Sequence, residues 1–249
     1  MFFCCFACRP EEVEPIEEKP YHFVEFIRHA GECDGDSTNC AVFKAFYPQY
    51  DSADAGIRTR INNSILEAVI KSISDGQGGG TSLQDLAQDF FKDYNEYSSG
   101  PFSMPWEMEC NGTVLFLSDR IFSLQISNYK FTGGAHPNTI TSMLNYDLEK
   151  GSTIQLSDLV IDWQNFNHIA EKYFRRSKDM DAQLPLENSG YFWGEDFKLS
   201  NNFAITEAGI LLYYNTYEIA PYVGGITSFV IPFEELEKII HPEFIPNAT

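Results

Sequence analysis

Residues 130–140, KFTGGAHPNTI, join an apolar run to a β-branched run through two glycines and a histidine–proline step. Glycine permits the positive φ angles of a tight turn, and proline favours an extended conformation in the residue before it. The stretch therefore predicts a turn between two strands, shaped by Gly133, Gly134 and Pro137. Its histidine, His136, has two interpretations: a structural residue that donates to a backbone carbonyl, or a general base. A base needs an orienting carboxylate, and no triad-like partner is visible, so the structural role is favoured.

Strand-length runs of alternating apolar and polar residues begin on both sides of this turn and extend from Met104 to the carboxy terminus. Asn111-Gly112 predicts a hairpin turn between the first two of these strands. Lys150-Gly151 predicts a second turn, and residues 207–209 predict a third. A short terminal helix follows the last strand.

Three segments show the apolar periodicity of amphipathic helices, at residues 51–76, 81–97 and 162–178. The first is predicted to begin near Asp51 or Ser52, and the third is predicted to be capped by Asp162. Runs of antiparallel strands punctuated by helices indicate an α+β fold in which helices pack on one face of a sheet.

The charge balance argues against one class of partner. The chain of 249 residues has 17 Lys plus Arg against 36 Asp plus Glu, a formal net charge of -19. Nucleic acid binding needs clustered cations, so nucleic acid is excluded as a partner. Acidity on this scale favours solubility and attracts basic partners at long range.

Signatures of catalysis and of cofactor binding are missing from the sequence. The five histidines are scattered without the His-x-x-x-His spacing by which a helix shares a metal. There is no Gly-x-Ser-x-Gly elbow, no Walker sequence and no dinucleotide fingerprint. The sequence thus predicts neither a metal site nor a cofactor, and it favours a protein that is not an enzyme.

The amino terminus, MFFCCFACRP, is short and apolar, and an acidic, proline-spaced tract follows it. It is too short to cross a bilayer, which takes about 20 residues. Ala7-Cys8 resembles the junction of a bacterial lipoprotein signal, although a cationic region is missing and Cys5 replaces the usual aliphatic residue. This interpretation makes residues 1–20 a signal remnant and tether, with Cys8 carrying the lipid. Membrane contact would then occur through the lipid anchor alone.

Cys33 and Cys40 lie at the two ends of a polar loop between two runs of strand character. If the runs pair as a hairpin, the two cysteines face each other at a distance that a disulfide bridges. A zinc pair is the rival, but six intervening residues are too many for a usual knuckle. A disulfide indicates an oxidising envelope compartment, and it leaves Cys110 as a free, buried thiol.

A family resemblance covers about residues 125–240. The matching pieces are residues 133–138, Asp147-Leu148 before Gly151, residues 156–159, residues 217–222 with Gly225, and Ile231-Pro232. These motifs resemble the carboxy-terminal domain of the RsiV-like family, which is named for an anti-sigma factor and also forms the non-catalytic front part of a peptidoglycan deacetylase. More weakly, residues 21–100 resemble the small PdaC-type domain that usually precedes it. The predicted division is therefore 21–103 and 104–249, a two-part α+β unit outside the cytoplasmic membrane.

The resemblance implies a binding module of the cell envelope, either lipid-anchored or periplasmic. Its ligand would be a protein, for example lysozyme, or a cell-wall glycan such as peptidoglycan. The resemblance includes neither the cytoplasmic sigma-binding segment of the anti-sigma factor nor the catalytic domain of the deacetylase, so neither activity is expected from it. The residues expected to contact the ligand are His136, Asn138, Tyr217, Glu218, Pro221 and Tyr222, with Gly225 among the turn-forming residues. The alternative is an envelope glycan hydrolase or deacetylase-type enzyme that uses His136 with a nearby carboxylate.

Overall fold

A computed structural model describes residues 19–33, 39–74, 80–99, 104–181 and 185–246. The predicted lipid site Cys8 and nearly all of the predicted tether lie outside these residues. Within them, no helix has both the length and the apolar character needed to cross a bilayer.

A six-stranded sheet is the largest element of the fold. Its strands are β1 (Tyr21–Gly31), β2 (Cys40–Tyr50), β3 (Trp106–Leu117), β4 (Ile121–Phe131), β5 (Asn138–Asp147) and β6 (Ser152–Thr153), hydrogen-bonded in that order. Every neighbouring pair is antiparallel except β2 and β3, which run parallel. A parallel pair needs a long crossover, and two helices between β2 and β3 supply it.

Those helices are α1 (Ala55–Ile73) and α2 (Leu83–Ser98), and both pack on the sheet. Their apolar stripes, centred on Ile65 and Phe90, share one buried cluster with Phe43 of β2 and Leu124 of β4. The predicted helices are thus confirmed. The start of α1 differs from the prediction, because Asp54 accepts from the backbone N–H groups of the first turn and caps the helix.

A second, three-stranded antiparallel sheet consists of β7 (Phe203–Ile205), β8 (Gly209–Tyr214) and β9 (Thr227–Pro232). The short helix α3 (Leu156–Leu159) and the longer α4 (Trp163–Ser177, capped by Asp162) precede it in the chain. Phe174 of α4 and Phe229 of β9 belong to a second buried cluster, which also includes Ile121 of β4. Phe122 and Leu124 of β4 belong to the first cluster instead. Because neighbouring residues of a strand point to opposite faces, the two faces of the large sheet pack in different hydrophobic cores. The fold is α+β in two parts, with helices and with sheets that are antiparallel except at β2 and β3; the predicted class is confirmed.

The predicted division at residue 103 falls in the connection between α2 and β3. Because β2 and β3 are hydrogen-bonded neighbours, the large sheet contains strands from both predicted parts. The division remains a prediction about sequence units.

The predicted turn at Asn111-Gly112 is wrong, since both residues lie inside β3 and pair with β4. A Cβ at position 112 would lie 2.5 Å from Pro48 Cδ and 2.9 Å from Tyr47 Cα. The glycine therefore permits the close approach of β2, and the turn itself lies between Leu117 and Ile121. The turns at Lys150-Gly151 and at residues 207–209 are where they were predicted.

The β1–β2 hairpin is confirmed, and Cys33 and Cys40 form a disulfide at its neck with a Cα–Cα distance of 4.8 Å. Cys110 is a free, buried thiol, as predicted. Burial raises the pKa of this thiol to about 12, which keeps it protonated and unreactive at neutral pH.

Candidate functional site

His136 is exposed at the end of the β4–β5 turn. Its ring atom Nδ1 lies 3.0 Å from the carbonyl oxygen of Pro137, the type of contact that the structural role predicted. The ring also stacks on Tyr222, with centroids 4.4 Å apart and planes 22° apart. The structure therefore brings together two predicted site residues that are far apart in sequence.

The turn depends on one of its two glycines. Gly133 has a φ of +81°, and a Cβ there would lie 2.8 Å from the hydroxyl of Tyr97. The prediction that both glycines supply positive φ angles is wrong for Gly134, which is not among the positive-φ glycines. Asn138, another predicted contact residue, is exposed and begins β5 opposite Lys130 of β4.

Residues 215–225 form the other side of the site. Tyr217 lies in the left-handed region, with a φ of +68°, and its ring centroid is 5.6 Å from that of Tyr222. Glu218 Oε2 accepts from the backbone N–H of Asn215 at 2.8 Å, which closes the bend around Tyr217. Pro221 is exposed and accepts from the N–H of Gly224. Gly225 has a φ of +60°, so the segment contains positive φ angles at two positions.

Trp193 is an additional aromatic residue that the sequence reasoning missed. It is 59% exposed, has a φ of +56°, and donates through Nε1 to the carbonyl of Glu218 at 3.2 Å. The preceding Phe192 is buried, also has a positive φ, and donates its N–H to the carbonyl of Ile219. A run of three aromatic residues flanked by Gly190 and Gly194 is the signal that could have identified it.

We name His136, Trp193, Tyr217 and Tyr222 the aromatic cluster. Non-glycine residues with positive φ cost of order 1–3 kcal/mol and persist where surrounding contacts impose them. Two of the four members carry this strain, and three large rings are about half exposed: 59% for Trp193, 52% for Tyr217 and 48% for Tyr222. Val223, next along the chain, is 95% exposed. Apolar surface held in place by strained backbone is typical of a recognition site.

The polar side chains at the cluster contact backbone groups. In the described part of the chain, the hydrogen bond of the His136 ring is to Pro137, and the Glu218 carboxylate is bonded to Asn215. Those same described residues contain no group of three or more His, Cys, Asp or Glu side chains placed to hold a metal ion. Carboxyl groups with lowered pKa values lie at helix caps and ion pairs elsewhere; the backbone N–H groups of Ile57 and Gly56, for example, lower that of Asp54.

Comparisons with known proteins divide the chain in two. A family model described as "Deacetylase PdaC" matches residues 35–139, and one described as "Protein of unknown function (DUF3298)" matches residues 158–234. The aromatic cluster is built from both, because His136 lies in the first match and its other three members lie in the second.

Among curated proteins, the chain is similar to the peptidoglycan-N-acetylmuramic acid deacetylase PdaC of Bacillus subtilis, with 27% identity over 147 residues. The match covers 57% of this chain and 31% of that relative, so the chain spans about a third of its length. A DUF3298 family protein of Bacteroides fragilis has a similar fold, with a TM-score of 0.70 at 21% identity, covering 90% of this chain and 95% of that one. One from Pseudomonas aeruginosa also gives 0.70, at 18% identity, covering 93% and 99%.

Proposed function

We propose that this chain is a non-catalytic module of the cell envelope that binds a cell-wall glycan through the aromatic cluster. The matches to the PdaC and DUF3298 family models and to a peptidoglycan deacetylase support a function related to the cell wall. The Cys33–Cys40 disulfide supports a location outside the cytoplasm, where oxidising conditions preserve such bonds. The lipid anchor at Cys8 is part of the same proposal.

The observation that carries the proposal is the stack of His136 on Tyr222 beside the exposed rings of Tyr217 and Trp193. The apolar C–H faces of pyranose rings pack on aromatic faces, while tyrosine hydroxyl and indole edges hydrogen-bond to sugar substituents. Peptidoglycan, the wall polymer for which the Bacillus relative is named, has a backbone of such rings.

The enzyme alternative uses His136 as the acid–base residue. A general base needs a partner that orients it and raises its basicity, commonly a carboxylate. Here the ring is bonded to the carbonyl of Pro137 and packed against Tyr222, which fits a contact surface better.

A protein ligand is the second candidate, with a basic lysozyme as the specific case. The net charge of -19 would attract it, but attraction between exposed charges weakens as salt screens it. The test therefore also measures the binding of lysozyme at the two salt concentrations.

The test is calorimetric titration of the full chain with soluble peptidoglycan fragments, at low and near-physiological salt. We expect saturable binding at both salt concentrations and a loss of about tenfold or more in affinity for Tyr222→Ala, since a central aromatic contact contributes about 1.4 kcal/mol or more. Trp163→Ala is the matched control, because Trp163 is 45% exposed but lies on the first turn of α4, outside the cluster.

Three results would contradict the proposal. The first is fragment binding that Tyr222→Ala and Trp163→Ala leave equally unchanged. The second is no heat with fragments together with salt-resistant binding of lysozyme, which would identify a protein receptor instead. The third is turnover of the fragments that depends on His136, which would identify an enzyme.

A further inference from the structure

The strand β1 is an open edge of the large sheet. In the part of the chain that the structure describes, β1 pairs only with β2, over eleven consecutive residue pairs without a bulge. Its sequence, YHFVEFIRHAG, contains no proline and no lysine. Natural proteins protect edge strands with such residues, with bulges or with short strands, because an open edge is a template for further pairing. This edge lacks proline, lysine and bulges and is eleven residues long; its charged side chains, Glu25 and Arg28, have opposite signs.

The hydrogen-bonding groups that point outward from β1 can be assigned. The N–H of Glu32 donates to Asn39, and the carbonyl of Pro20 accepts from Asp51, so even-numbered positions form the hydrogen-bonded pairs with β2. Odd-numbered residues must therefore direct their N–H and C=O groups away from the sheet. A contact at Ile27 agrees, because its carbonyl accepts a hydrogen bond from the Arg28 side chain at 2.7 Å.

We propose that two copies of this chain pair antiparallel through β1, with the twofold axis at Ile27, to form one continuous twelve-stranded sheet. An axis perpendicular to the sheet keeps each side chain on its own face, so facing residues must both be odd or both be even. Several registers satisfy this condition, and side-chain charge distinguishes them.

Centring on Ile27 places Glu25 opposite the second copy's His29, and Phe26 opposite its Arg28. The first pair joins a carboxylate to an imidazole, and the second continues a stacking that already exists within one chain, where Arg28 lies 4.3 Å from the Phe26 ring centroid.

Other registers are less favourable. An axis at Glu25 or at Arg28 would place like charges face to face, which destabilises a strand pair. An axis at Phe26 would place Glu25 opposite Ile27 and leave the carboxylate without a charged partner.

The charges along this edge are balanced, so two copies meet there with little net repulsion. Residues 19–33 carry two cations, Lys19 and Arg28, and two anions, Glu25 and Glu32, in a chain whose net charge is -19. On pairing, Arg28 must release the Ile27 carbonyl, and the N–H of the second copy's Ile27 replaces it.

Cysteine cross-linking tests the register. All variants carry Cys4, Cys5 and Cys8 changed to Ser, so that these residues form no intermolecular disulfides. With the axis at Ile27, two Ile27→Cys residues face each other at about 5.5 Å between Cα atoms, within disulfide range. Two Glu25→Cys residues would be about 14 Å apart along the strands. We therefore expect oxidation to give a covalent dimer of Ile27→Cys and none of Glu25→Cys.

Sedimentation velocity over a concentration series tests the pairing itself. Ile27→Pro removes an outward N–H without breaking the β2 ladder and should raise the dimer dissociation constant about tenfold or more. His29→Glu should also weaken the dimer, because the new carboxylate faces that of Glu25, and Glu25→Lys combined with His29→Glu should restore it. Circular dichroism confirms that each variant is folded.

A chain that is monomeric throughout the series overturns the proposal, as does equal cross-linking of the two cysteine variants or a dimer that Ile27→Pro leaves unchanged. A monomeric full chain that dimerises once residues 1–18 are removed would assign the edge to that segment of the same chain and would equally overturn the proposal.

Discussion

The side-chain amide of Asn215 hydrogen-bonds to both backbone groups of Thr141, accepting from its N–H at 2.7 Å and donating to its carbonyl at 3.0 Å. The side-chain amide of Asn202 bridges two residues of β5, accepting from the N–H of Met143 and donating to the carbonyl of Thr141. These side-chain amides satisfy the backbone hydrogen-bonding groups on the outer edge of β5, which a neighbouring strand would otherwise pair with. Because Thr141 follows the His136 turn and Asn215 precedes Tyr217, this contact fixes the two sides of the aromatic cluster relative to each other.

Replacing Asn215 should therefore affect both stability and ligand binding. Asn215→Ala leaves part-buried backbone groups unpaired, and we expect the free energy of unfolding to fall by about 2 kcal/mol. Asn202→Ala should cost a similar amount but should preserve binding of peptidoglycan fragments, because Asn202 does not adjoin the cluster residues in sequence. Denaturant unfolding and calorimetric titration of both variants measure the two effects. Equal loss of binding in both variants would show that the contact acts through general stability.

Tyr217 should show opposite effects on stability and binding. With a φ of +68°, it occupies a conformation that glycine adopts without steric cost. Tyr217→Gly should raise the free energy of unfolding by about 1 kcal/mol by relieving this strain while it removes a ring of the cluster. Tyr217→Ala removes the same ring and keeps the strain, so it is the control. Thermal unfolding compares the two variants, and a glycine variant no more stable than the alanine variant would contradict strain at this position.

The stability of the protein should depend on Asp147 in acid. Burial acts to raise the pKa of this carboxyl, but hydrogen bonds and charge from Lys150, together with the Arg120 guanidinium, outweigh burial and hold the pKa below its ordinary value. A lowered folded pKa means that the carboxylate stabilises the fold above the unfolded pKa of about 3.9. That stabilisation is lost as pH falls through the folded pKa.

Asp147→Asn should thus lower the free energy of unfolding by about 2–3 kcal/mol at pH 7, since the Asp147 side chain is 3% exposed. The difference from the unchanged chain should shrink below about pH 4, as urea unfolding at several pH values would show. Asp119→Asn, at an exposed position on the neighbouring turn, is the control and should leave the free energy of unfolding at pH 7 nearly unchanged. If the difference in free energy of unfolding between Asp147→Asn and the unchanged chain stays constant with pH, the effect of the substitution is due to packing and not to charge.

The Cys33–Cys40 disulfide should stabilise the β1–β2 hairpin. The bond closes a loop with a sequence separation of 7, and chain-entropy arguments assign such a loop about 2.5 kcal/mol. Changing both cysteines to serine should lower the urea midpoint of unfolding, and a reductant should lower the midpoint of the unchanged chain by a similar amount. The reductant should not affect the double variant. Identical midpoints for the oxidised chain and the double variant would refute this contribution.

Local signals in the sequence were sufficient for most of the elements. The four-residue spacing from Ile57 to Ile73 predicted α1, and the flanking runs of strand character predicted the β1–β2 hairpin with its disulfide. The same local reasoning failed at Asn111-Gly112. Gly112 is needed there because Tyr47 Cα and Pro48 Cδ approach it closely, a tertiary contact that turn propensity does not reveal.

The candidate site was only partly accessible from sequence. The glycines and proline of residues 130–140 marked His136, and the family resemblance singled out Tyr217 and Tyr222. Trp193 was missed, since its place in the cluster depends on a contact with Glu218, 25 positions away.

By itself, the sequence determined the acidic charge, the helices and most of the strands of this protein, because periodicity and side-chain chemistry act over a few residues. Tertiary structure alone decided that β2 runs parallel to β3, that Asn215 bonds to the edge of β5, and that His136 stacks on Tyr222. These features join segments tens of residues apart. The first is a pairing within the large sheet, and the other two follow from how residues 202–222 pack on β5 and the turn before it; none of them has a signature in any short stretch of chain.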